Sequence, residues 1–131
     1  MITKGIKELC EDAEAEIETM DAADAVALQD DEDVQIVDIR DIRELWRDGA
    51  VPGAQHAPRG MLEFWVDPDS PYHKEIFASG KKFVFFCAGG LRSALATKTV
   101  QDMGLRPVAH IKGGFAAWKE AGGPVVEKEK K

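Results

Sequence analysis

The 131-residue sequence predicts an α/β fold, a mostly parallel sheet with helices covering both faces. Three observations carry that expectation. Short runs rich in β-forming residues, Val34-Gln35-Ile36-Val37, Phe83-Val84-Phe85-Phe86 and Pro107-Val108-Ala109-His110-Ile111, have the length of buried strands. Each gives way to turn residues and then to apolar residues at helical spacing, the alternation that builds parallel sheets. With 44% hydrophobic residues, the chain is long enough for one domain with its own core and too short for two of ordinary size, so residues 1–131 are expected to form one domain.

In chain order, Ile2, Ile6, Leu9, Ala13 and Ile17 recur at steps of three and four and predict an amphipathic helix over about residues 1–16. Cys10 sits at the edge of that apolar stripe, either as a small packing residue or as a second thiol able to meet the other cysteine. A short strand follows at 17–20. Asp21 is placed to cap a short helix through Leu28, and residues 30–33 form a polar turn. Val34 to Val37 is the next strand. Asp38 lies at its carboxyl end, the edge where open α/β sheets hold ligands, but it is equally placed to cap the helix expected from about Asp41. Arg40 and Glu44, four apart, are expected to pair along that helix.

After Gly49, the turn Val51-Pro52-Gly53-Ala54 leads into a short strand with His56 and Ala57. Residues 58–80 mix Met61, Leu62, Phe64, Trp65, Tyr72 and Phe77 with Pro68 and Pro71, which suggests short helices joined by a stiff turn. Beyond the Phe83 strand, a helix over 93–103 stops at Gly104, and Pro107 to Ile111 is the last strand. Gly113 and Gly114 turn into a closing helix with Phe115, Trp118 and Ala121, ended by Gly122-Gly123-Pro124. The tail 127–131 is expected to fray. His56, His73 and His110 have no partner spacing that suggests a metal or a catalytic base, and read as surface or core filler.

The formal net charge of −7 is unevenly spread. Residues 1–33 carry 12 acidic and 2 basic side chains, the remainder 12 and 15, so the larger part of the chain is slightly basic. This argues against nucleic acid as a partner of the whole chain and leaves the later segment able to attract small anions. Two cysteines far apart in sequence make no disulfide framework and no metal-ligand spacing, as suits a reducing compartment. No signal-like or membrane-spanning apolar run is present. A cytoplasmic protein without a metal or cofactor is expected.

Chemistry concentrates in Cys87-Ala88-Gly89-Gly90-Leu91-Arg92-Ser93. A loop between a strand's carboxyl end and a helix N-terminus gathers backbone N–H groups into a small bowl, where an anion is stabilised by those donors and by the helix dipole. A cysteine in such a loop favours its nucleophilic thiolate. The glycines can take positive φ and bring no Cβ into the bowl. Arg92 adds a fixed positive charge, and the Ser93 hydroxyl either caps the helix or faces the bowl.

The heptad from Cys87 to Ser93 resembles the active-site loop of the rhodanese family of sulfurtransferases. Val37-Asp38-Ile39-Arg40 with Glu44, Val51-Pro52-Gly53-Ala54, and Gly113-Gly114-Phe115-Ala116-Ala117-Trp118 are similar to that family's other signatures, in their usual order. The likeness spans residues 18–126, with Ala50 standing where many members carry a histidine. It implies a five-stranded sheet, a Cys87 persulfide cradled by the amides of Ala88 to Arg92, and an anionic donor such as thiosulfate. The implied acceptors are a thiol, cyanide or a protein. It also implies that Asp38 lies near the loop. Residues 58–80 resemble a segment of single-domain bacterial members, which would bring Arg59, Phe64 and Trp65 to the site mouth, with core packing as the other use of the aromatics.

Two other functions fit the same fold. Cysteine-dependent phosphatases related to the cell-cycle dual-specificity enzymes place five residues between cysteine and arginine, whereas four intervene here, and a shorter ring suits sulfur. A docking module without turnover usually lacks the cysteine, and Cys87 is present.

Overall fold

A computed structural model describes residues 1–130. Five strands form one sheet in the order β1-β5-β4-β2-β3, every pairing parallel: β1 Glu18–Met20, β2 Val34–Asp38, β3 Gln55–His56, β4 Lys82–Phe86 and β5 Val108–Ile111. β4 lies at the centre, with Val34 opposite Lys82 and Asp38 opposite Phe86 on one side, and Phe83 opposite Val108 on the other. The strand ends therefore gather along one carboxyl edge, with Cys87 just beyond the middle strand.

Strand alternation sorts the core into two layers. Phe83, Phe85, Cys87 and Val108 join Ala96 and Val100 of α5 (Leu91–Asp102) and Leu62 and Val66 of α4 (Leu62–Val66). On the opposite face Val84, Phe86, Ala109 and Ile111 pack with Ala22 and Ala25 of α2 (Ala22–Ala27) and Phe115 and Trp118 of α6 (Gly114–Glu120). The expected short helices in 58–80 are α4 and two single 3₁₀ turns, Arg59–Met61 and Glu75–Ala78. Trp65 leans on the core, whereas Phe64 is exposed and meets Tyr72 edge-on.

Several local expectations are corrected. α1 runs Ile6–Glu14 and buries Cys10 and Ala13, leaving Ile6 56% exposed and Leu9 outside the core. The reason is that α1 turns Cys10 and Ala13 inward where it rests on α5, and Ile2, Ile6 and Leu9 are left outside that contact. Asp21 occupies the N-cap of α2, but its side chain makes no capping bond. Arg40 does not pair with Glu44. It precedes the N-cap of α3 (Ile42–Asp48), where helical spacing does not apply, and folds inward onto Asp38. Asp38 does not cap α3 either. Asp41 does so, accepting from the Arg43 amide while Glu44 Oε2 accepts from the Asp41 amide, a complete capping box. α5 begins at Leu91, two residues before the expected start, because Gly90 reverses the chain there at φ 104°. Val126 bridges back to Ala50. Residues 127–130 carry no helix or strand, and Lys131, the last residue of the expected tail, lies outside the described residues.

Candidate active site

Cys87 follows β4 directly, and the next three residues complete a turn into α5. Gly90 takes the left-handed conformation that a side chain resists, and a Cβ there would press on the Gly113 amide at 3.3 Å. The loop is held from outside by the start of α6. The Phe115 amide donates to the Cys87 carbonyl at 2.8 Å and the Ala116 amide to that of Ala88 at 3.3 Å. This contact requires Gly114 (φ 59°), since a Cβ at that position would lie 2.3 Å from the Cys87 carbonyl oxygen. The two glycine signatures, distant in sequence, are thus one structure.

Cys87 is 1% exposed, and its sulfur points into the first turn of α5. It accepts from the Gly90 amide at 3.1 Å and the Ser93 amide at 3.4 Å, and Ser93 Oγ is 3.6 Å away. Among the described residues, the amides of Ala88, Gly89, Leu91 and Arg92 have no protein acceptor, and Ala88 and Gly89 are exposed. Donors converging at a helix N-terminus suit an anion at sulfur. The structure brings Cys87, Ala88, Gly89, Gly90, Leu91, Arg92 and Ser93 together in this one bowl.

Arg92 is half-exposed at the rim and forms a two-pronged pair with Glu44, Nη1 donating to Oε2 and Nη2 to Oε1, each at 2.9 Å. The carboxylate that Arg92 meets is thus Glu44 and not Asp38, which the family likeness places near the loop. The pair holds the Glu44 carboxyl below its usual range. It also pushes Arg92 above the ordinary guanidinium value, with the nearby Cys87 sulfur as a smaller cause. A cleft of about 450 Å³ opens beside Arg92, lined also by Asp41, Arg43, Glu44 and Arg47.

Two residues singled out from sequence lie outside the bowl. Both carboxylate oxygens of Asp38 accept from Arg40, a fully buried pair whose guanidinium stacks 4.1 Å from the Phe115 ring centre. Arg59 pairs with Glu63 one turn on at 2.7 Å. Cys10 is buried with its thiol directed at the Leu91 carbonyl, 3.6 Å away, and burial pushes that thiol up, with Glu14 and Cys87 adding to the effect. His110 was missed as a site neighbour: it is buried beside the bowl with Nδ1 3.0 Å from Ser93 Oγ. The available signal was its position in β5, on the face shared with Val108, where the sequence offers no polar partner. Among the described residues, no three His, Cys, Asp or Glu side chains converge to hold a metal ion.

The rhodanese-like domain family model matches residues 21–121, and with the strand order and loop in place that match is decisive. The chain belongs to the rhodanese-like family. It is similar to a sulfurtransferase from Allochromatium vinosum, 30% identical over 102 residues that cover 78% of this chain and 87% of that one. Among solved structures, a Rhodopseudomonas palustris protein described as of unknown function and as a possible tyrosine phosphatase is 62% identical, with a TM-score of 0.93 over 96% of this chain and 97% of that one. The polysulfide-sulfur transferase homodimer from Wolinella succinogenes is 28% identical, with a TM-score of 0.70 over 94% and 88%. Sulfurtransferase relatives support sulfur transfer as the general activity of this rhodanese-like chain. No helix among the described residues is long and apolar enough to cross a membrane.

Proposed function

We propose that this rhodanese-like protein takes a sulfane sulfur from an anionic donor such as thiosulfate, holds it as a Cys87 persulfide, and passes it to a thiophilic acceptor. One observation carries the reading: the Cys87 sulfur receives the Gly90 and Ser93 amides at the start of α5, with further loop amides open beside it. The Cys87 thiolate attacks the outer sulfur of thiosulfate. A sulfur–sulfur bond forms to Cys87 as the donor's own breaks, and sulfite leaves. A thiol, cyanide or protein nucleophile then attacks the outer persulfide sulfur, and Cys87 departs as thiolate. The amides of Ala88 to Arg92 stabilise negative charge on sulfur in both steps, and Arg92, whose remaining N–H groups are not used by Glu44, attracts the donor.

The description of the Rhodopseudomonas protein raises phosphoryl transfer as a second reading. The four residues between Cys87 and Arg92 favour sulfur, because the smaller ring matches one anionic sulfur better than three phosphoryl oxygens. Mass spectrometry after incubation with thiosulfate tests the first half-reaction without assuming an acceptor. One added sulfur on the Cys87 peptide is expected. No addition with any sulfane donor, together with Cys87-dependent hydrolysis of an aryl phosphate, would overturn the proposal in favour of the phosphatase.

A further inference from the structure

Cys87, Ser93 and His110 are 1%, 0% and 1% exposed. Their three side chains form a continuous row. Sγ is 3.6 Å from Ser93 Oγ, and that oxygen is 3.0 Å from His110 Nδ1. The row ends at His110 Nε2, a buried polar atom without a hydrogen-bond partner among the described residues. His110 also borders a small cavity of about 170 Å³ walled by Gly89, Gly90, Leu91 and Gly113, with Glu14 and Lys112 at its sides. That volume is large enough for water, and a buried unpaired nitrogen beside such a space calls for an explanation.

We propose that His110 is a positioning residue for Cys87, acting through Ser93 as a proton relay that exits at Nε2 into this cavity. The inference rests on the sulfur-transfer reading for its purpose, though not for its geometry. In the thiol state the Cys87 S–H donates to Ser93 Oγ, the Ser93 O–H donates to His110 Nδ1, and Nε2 carries the imidazole hydrogen. On ionisation the S–H bond breaks as its proton moves to Oγ, the former Ser93 proton moves to Nδ1, and the Nε2 proton passes to a cavity water. The histidine is neutral before and after and has changed tautomer. Nδ1–H now donates to Oγ, and the Ser93 O–H donates to the anionic sulfur. The reverse sequence returns a proton to Cys87 when it leaves as thiolate in the second half-reaction.

Burial pushes the His110 imidazole below its ordinary value, only partly countered by Glu14, which suits a residue that shuttles a proton while staying neutral. The charged and titratable groups around the row are Glu14 and Cys10 from α1, Lys112 after β5, and Arg92 on α5 beside Cys87. None of them hydrogen-bonds Ser93 Oγ or His110 Nδ1, whose partners are Cys87 and each other.

The test is the pH profile of Cys87 alkylation by iodoacetamide, read at the Cys87 peptide by mass spectrometry, with a thermal melt of each variant. His110→Leu removes the Nδ1 that aims the Ser93 hydroxyl, and Ser93→Ala breaks the row in its middle. Each is expected to lower the neutral-pH rate roughly tenfold and move the profile to higher pH, because the hydrogen bond from Ser93 to anionic sulfur is left unaimed in the first and lost in the second. The double variant is expected to fall no further than either single one. A wild-type profile in His110→Leu, or losses that multiply in the double variant, would overturn the proposal. Sulfur loading of the wild type is measured alongside. Its absence counts against the proposed function and leaves the alkylation comparison standing.

Discussion

Arg92 and Glu44, 48 residues apart, are joined by two parallel 2.9 Å hydrogen bonds, and Glu44 Oε2 also closes the capping box of α3 through the Asp41 amide. One carboxylate therefore ties the rim of the Cys87 bowl to the start of a helix on the neighbouring strand's connection. Arg92 reaches the bowl already oriented, as the proposed contact with an anionic donor requires of a planar fork.

Arg92→Ala is expected to cut kcat/KM for thiosulfate roughly tenfold to a hundredfold, the worth of a desolvated charge-assisted contact, and to leave attack by a neutral acceptor much less affected. Arg92→Lys recovers part of the loss. The pair is partly solvent-exposed, so its stability share is at most about 1 kcal/mol. Equal falls in both half-reactions, with a large drop in Tm, would assign Arg92 a purely structural role.

Acid titration reads Glu44 directly. Its folded-state pKa lies below the unfolded value, with Arg92 as the first cause, so its stabilisation is complete above the unfolded carboxylate range and is lost as pH falls through the folded value. Asp41, held at about 2 mainly by Arg43, acts in the same direction further into acid. Glu44→Gln should flatten the fall of Tm with decreasing pH over the Glu44 window, and Arg92→Ala should do the same. A slope equal to wild type in both variants would disprove the coupling.

Cys87→Ser changes one buried atom, so the melting temperature should move little while sulfur loading disappears, since a serine hydroxyl is not ionised at neutral pH. Residual loading of that variant would place the nucleophile elsewhere.

Gly114→Ala forces a Cβ to within 2.3 Å of the Cys87 carbonyl at a φ of 59°. A cost of about 2 kcal/mol or more is expected from overpacking and backbone strain together. The displaced loop should also lose Cys87 reactivity in proportion. A Gly114→Ala variant with wild-type Tm and alkylation rate would show that α6 does not brace the bowl.

Arg40→Ala leaves the Asp38 carboxylate buried without its partner, a change worth about 3 to 5 kcal/mol of stability. Because Asp38 is spent on Arg40, the folded fraction of this variant should alkylate at Cys87 near the wild-type rate. Loss of reactivity without loss of stability would return Asp38 to the site.

The sequence alone determined the layered architecture and the position of the candidate nucleophile, because both depend on local patterns. Phe83 to Phe86 can only be a buried strand, Gly89 and Gly90 can only follow it as a tight turn, and Cys87 sits between them whatever the rest of the chain does. What sequence spacing could not decide was which charges and polar groups meet. Arg40 and Glu44 look like helical partners four apart, yet the helix begins between them, so Arg40 turns inward to Asp38 and Glu44 is left for Arg92. Ser93 and His110 are separated by a whole helix, and only the parallel pairing of β4 with β5 brings β5's inner face under the first turn of α5. Gly114 reads as a generic turn residue until the carbonyl of Cys87 is found against it. Such contacts depend on the strand order and on the two-residue alternation that assigns each side chain to a face. Those are properties of the assembled sheet, and no single stretch of the chain carries them.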